Sequence, residues 1–94
     1  MDNRDNKAQT LLMWASDCKQ LDVVRLLVQS SATVNSRQDR GMTSLMFASR
    51  NEDLDVVRLL LENSATVDAQ DNYGRTSLAF TSLKGHLDIV QLLL

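Results

Sequence analysis

LDVVRLL begins at Leu21, LDVVRLLL at Leu54 and LDIVQLLL at Leu87, so one phrase returns at a constant step of 33 residues. SATVN at Ser31 and SATVD at Ser64 keep that step, as do Thr10, Thr43 and Thr76, and Trp14, Phe47 and Phe80. Framed as units 5–37, 38–70 and 71–94, the first two agree at 16 of 33 positions and the last two at 12 of the 24 they share, without a gap. Chance agreement runs at roughly one position in twenty to one in fifteen. The repeat therefore organises the chain.

Within the middle phrase, Leu54, Val57, Leu60 and Leu61 lie on one face of a helix, and the adjacent Val56 and Val57 break strand alternation. Asp53 is a good N-cap for this helix. Asp22, Asp55 and Asp88 stand in its first turn in every unit, opposing the positive end of the helix dipole. Arg25 and Arg58 follow three residues later as weak exposed pairs. A shorter helical piece precedes it, Ser44 to Arg50 in the middle unit, with Thr43 placed to cap its start. Gly41 and Gly74 fall at matching places in the polar stretches between units, where a turn asks for positive φ. Each unit thus reads as a turn, a short helix and a longer helix. Such a unit buries its apolar side only by stacking on its neighbours. Trp14, Phe47 and Phe80 are expected to form a core column along the stack.

Composition narrows the function. A chain of 94 residues makes one small domain, and 44% hydrophobic with 23% charged residues argues against a wholly disordered one. Ten basic against twelve acidic residues gives a net charge of −2, which supplies no basic face for nucleic acid. The longest apolar run, Leu11 to Ala15, is far short of the roughly 20 residues that cross a bilayer. MDNRDNKAQT at the start has no apolar core of a secretory signal. Cys18, the single cysteine, excludes an internal disulfide and fits a reducing intracellular compartment, cytoplasmic or nuclear.

Chemistry is thin. His86 is the only histidine, and a zinc site needs about four suitably spaced ligands. Ser82, His86 and Asp88 are close in sequence, but a triad is defined by geometry. Cys18 reads as an ordinary, partly exposed cysteine. The three glycines never cluster into a phosphate-cradling loop. No catalytic residue, cofactor or metal is expected.

The 33-residue turn–helix–helix unit resembles the ankyrin repeat over residues 5–94. Gly41, Thr43, Leu45, Ala48, Val56, Val57, Leu60, Leu61, Ala65 and Asp68 carry the likeness in the middle unit. Asp71, Gly74, Thr76, Leu78, Gly85, His86, Val90, Leu93 and Leu94 carry it in the last. The family's Thr-Pro-Leu-His tetrapeptide appears as TLLM, TSLM and TSLA, without its proline or histidine. Ser31 and Ser64 replace the glycine that follows the long helix, a place where a left-handed residue disfavours serine.

The resemblance implies an all-α ankyrin-repeat solenoid, one domain over 1–94. It also implies a non-catalytic module that binds a partner protein in the concave groove of turn tips and short helices. Carried over position by position, the groove takes Asn6, Lys7, Gln9, Asp17 and Cys18, then Asp39, Arg40, Met42, Arg50 and Asn51, then Asn72, Tyr73, Arg75, Leu83 and Lys84, with Lys7, Arg40, Met42, Arg50, Tyr73, Arg75 and Lys84 as the expected partner contacts. Here the units disagree while their apolar positions agree, as a constant scaffold with a varied surface would. Its excess of positive charge over Asp17 and Asp39 suggests an acidic segment as the partner. The alternative is a structural spacer or a truncated piece of a longer solenoid. It would self-associate through an uncapped end carrying Phe80, Val90, Leu93 and Leu94.

Overall fold

The computed structural model describes residues 11–30, 34–81 and 87–94. Six helices occur there and no strand: α1 over residues 11–17, α2 Leu21–Gln29, α3 Ser44–Arg50, α4 Leu54–Glu62, α5 Ser77–Thr81 and α6 Leu87–Leu93.

Local chemistry sets the starts of the middle pair. The Thr43 hydroxyl accepts from the Met46 N–H at 3.4 Å, and the Asp53 carboxylate accepts from the Val56 N–H at 3.4 Å. Each satisfies a backbone donor that the first turn leaves free, for about 1 kcal/mol. Gly41 and Gly74 take φ of 80° and 78°, as their turns require. Ser64 is left-handed at φ 72°, which is the conformation expected at that position; Ser31 lies outside the described residues. Lys19 and Glu52 are also left-handed, at φ 61°. The signal for this was present in the sequence, since the third unit has Gly85 at the same step.

The helices stack in two layers. In the inner layer α3 packs on α5; in the outer layer α4 lies between α2 and α6; α3–α4 and α5–α6 join the layers. Val56, Val57 and Leu60 of α4 are fully buried, with Leu12, Ala15, Val24, Leu45, Ala48, Ile89 and Leu93 around them. Each large apolar side chain so covered contributes about 1.5–3 kcal/mol.

Two expectations about packing are corrected. Trp14 is 54% exposed, and Phe47 and Phe80 are half-buried and stand outside the core cluster. At about 100° per residue, Phe47 is turned well away from Leu45 and Ala48, which take the core side of α3. The repeated aromatics therefore form a row on the surface side of the inner layer. Leu93, expected on an open end, is only 4% exposed, because it follows Ile89 by one turn on the buried face of α6. Phe80 and Val90 are half-buried there, and Leu94 is exposed.

Candidate functional site

Each of the two described turns that precede a short helix is closed by the side chain of its first residue. In the middle turn the Gln38 Oε1 accepts from the N–H of Arg40 at 2.6 Å and of Met42 at 3.2 Å. In the last turn the Asp71 Oδ1 accepts from the N–H of Tyr73 and of Arg75, both at 2.9 Å. The backbones match as well: Gln38 N–H donates to Met42 O at 3.0 Å, and Asp71 N–H to Arg75 O at 2.9 Å. A carboxylate has a second oxygen, and Asp71 spends it on the Arg75 Nε at 2.8 Å.

The Asp71 carboxyl is buried, which acts to raise its pKa. The Arg75 N–H and guanidinium and the Tyr73 N–H outweigh this and hold it below the usual carboxylate value. The Arg75 guanidinium also lies 5.1 Å from the Tyr73 ring centre and 4.9 Å from that of Phe80, within cation–π reach of both.

Arg50 repeats the theme one unit earlier. It lies 5.1 Å from the Phe47 ring centre and pairs with Asp17 of the preceding unit at 2.8 Å. The Asn51 Nδ2 adds bonds to Asp17 O at 2.6 Å, Asp17 Oδ1 at 2.7 Å and Phe47 O at 3.0 Å. For Asp17, burial again acts to raise the pKa, while donation from Asn51 and Arg50 and the Arg50 charge bring it below its ordinary value.

Adjacent turns are bonded to each other. The Asn72 N–H donates to Arg40 O at 2.9 Å and its side-chain amide to Asp39 O at 2.9 Å. The Arg37 guanidinium reaches Gly41 O at 3.2 Å and also Gln70 O. Asn35 donates to Ser64 O at 3.1 Å and accepts from the Thr66 N–H at 2.7 Å. These bonds hold the rim of the inner face in one arrangement.

The expected groove residues divide. Arg40, Tyr73, Arg75 and Arg50 are exposed along this face, Tyr73 most of all at 74%. Met42 is a correction: it is 4% exposed, because the turn closed by Gln38 folds it into the protein, and it cannot serve as a surface contact. Lys7 and Lys84 lie outside the described residues. Sequence reasoning missed Asp71 as the partner of Arg75 and missed that the repeated aromatics stand off the core line, Trp14 exposed and Phe47 and Phe80 half-buried. The 33-residue step that placed Trp14, Phe47 and Phe80 on one line could have marked the row as a surface feature.

The outer layer carries a different feature, a shallow cleft of about 170 Å³ between α2 and α4 lined by Leu21, Arg25, Asp55, Arg58, Leu59 and Glu62. Arg25 lies 3.5 Å from Asp22 there. Among the described residues, no three His, Cys, Asp or Glu side chains lie together as a metal site. Nor is any described helix long and apolar enough to cross a membrane.

Helix pairs stacked in two layers, with bonded turns along one rim, define a helical repeat solenoid. The model of the ankyrin repeats matches residues 12–94 as three copies, and the chain belongs to that family. Repeats of this family are generally protein–protein interaction modules and are typically non-catalytic. No curated protein matches the chain significantly.

Proposed function

We propose that residues 1–94 act as one non-catalytic module, of units 5–37, 38–70 and 71–94, that takes a segment of a partner protein along the inner face. The observation that carries this reading is the row of surface aromatics, Trp14, Phe47 and Phe80, flanked by guanidinium groups already held in place. Arg50 and Arg75 stack on that row, while Arg40 and Tyr73 stand on the adjoining turn tips. Aromatic and arginine side chains dominate protein-binding hot spots. A face ordered before binding also loses little freedom on binding. Lys7 and Lys84 belong to the proposal through their repeat positions. With five basic residues in the set, the segment it suits is acidic.

The test is selection of 12-residue peptides from a random display library against the chain, repeated with an Arg40→Ala/Tyr73→Ala/Arg75→Ala triple variant whose fold is checked by circular dichroism. Peptides that bind the native chain, lose most of their affinity for the variant and weaken as salt rises agree with the reading. Peptides that bind both proteins equally overturn it.

A further inference from the structure

The two turns differ at two positions that act together, the first and the last. Gln38 and Asp71 stand at the same repeat position and accept the same two backbone N–H groups. Only Asp71 has an oxygen left for a guanidinium, and only the last turn places an arginine, Arg75, where the middle turn has the buried Met42.

Arg75 is fixed from several sides. Its Nε is engaged by Asp71, its own N–H is bonded to the same carboxylate, and the rings of Tyr73 and Phe80 lie at 5.1 and 4.9 Å. The turn beneath it is bonded through Asn72 to Asp39 and Arg40. Yet the side chain remains half exposed, and its two Nη groups have no hydrogen-bond partner among the described residues. A guanidinium held by its Nε still offers the parallel N–H pair of its far end, which matches the two oxygens of a carboxylate. Fixing the side chain beforehand removes most of the ordering cost of that contact.

We infer that Arg75 is the specificity-determining anchor of the inner face, and that it takes one Asp or Glu carboxylate of the bound segment end-on through its Nη pair. This rests on the reading that the inner face binds a protein segment, and it names the group read there. A single carboxylate fits better than a phosphate. Asp71 already balances the one charge of Arg75, so a group carrying nearly two negative charges would lie beside an unneutralised carboxylate. Arg50 differs in a way that bears on this: its Nη2, at the far end itself, is taken by Asp17. Its parallel pair is therefore already used in part.

The experiment uses the 12-residue peptides selected above on the full chain. Each acidic residue is replaced in turn by its amide and by phosphoserine, and affinities are measured for the native protein and for Arg75→Lys. Lysine keeps the charge and the pairing with Asp71 but loses the fork, and a thermal melt confirms that the variant folds.

The proposal expects one acidic position whose amide binds the native chain about five- to ten-fold more weakly, and that difference to fall below about two-fold against Arg75→Lys. An equal loss against both proteins, or tighter binding of the phosphoserine peptide, overturns the anchor while leaving the inner face as the binding surface. Peptides that ignore the inner face altogether remove the underlying reading, and the anchor with it.

Discussion

The turn at 38–42 and the turn at 71–75 share a backbone and part in what they do with it. Gln38, a neutral amide, closes the first with its one oxygen and has no second acceptor for a guanidinium; Met42 at its end is buried and belongs to the packing. Asp71, a carboxylate, closes the second with one oxygen and holds the exposed Arg75 with the other. The first turn is bonded on its far side by the next turn, through Asn72 to the backbone carbonyls of Arg40 and Asp39, which leaves the Arg40 side chain exposed at its tip. A carboxylate for an amide and an arginine for a methionine, at two repeated positions, thus turn a buried turn end into a held, exposed guanidinium. The divergence between units is therefore a difference of role within one geometry.

The comparison breaks most sharply at Met42 and Gly41. Met42→Ala should cost about 2–3 kcal/mol by urea unfolding, as loss of a buried side chain does, and leave peptide binding nearly unchanged at temperatures where the variant is folded. A Cβ on Gly41 would meet the Asn72 Oδ1 at 2.6 Å and the Asn72 N at 2.9 Å, in a backbone of φ 80°. Gly41→Ala should therefore lose about 2–3 kcal/mol. Gly74 has nearly the same φ, 78°, but nothing within 4 Å of its Cβ position. Gly74→Ala should lose only about 1 kcal/mol, the left-handed penalty alone. Equal losses at the two glycines would deny that the middle turn is the packed one.

A smaller effect sharpens the same point outside the turns. Ser64 has φ 72° without being glycine, so Ser64→Gly should raise stability by about 0.5–1 kcal/mol, read as a higher melting temperature.

The last test reads a slope instead of a level. Asp71 and Asp17 have folded pKa values below the ordinary value of 3.8. Their contribution to stability is thus fully present above that value and is lost as the pH falls through the lower folded values. Native stability should decline as pH drops below about 4, and Asp71→Asn should flatten that decline. An unchanged slope would mean that the carboxylate does not hold the last turn as described.

What was legible in the sequence was what repeats. The step of 33 residues gave the stack, the apolar periodicity gave α4 with its buried Val57 and Leu60, and Thr43 and Asp53 gave the helix starts that their hydrogen bonds confirm. The left-handed Ser64 was legible too, from its place after the long helix. What was not legible depended on rotation about a helix or on contacts across units. Apolar character alone put Trp14 and Phe47 in the core, although two residues of helix separate them from the core line of Leu12 and Leu45. Met42 looked like surface because it differs between units, yet the closure by Gln38 buries it. Asp17 counted as a negative charge of the groove, while its bonds to Arg50 and Asn51 make it a link between units.

The most direct measurement is NMR mapping of a library-selected 12-residue peptide on the isotope-labelled chain. The account predicts that the large shifts fall on the inner face, at Trp14, Phe47, Arg50, Tyr73 and Arg75, with the indole of Trp14 serving as a single resolved reporter. Shifts gathered instead around Leu21, Leu26, Arg58 and Leu59 of the outer layer would contradict it.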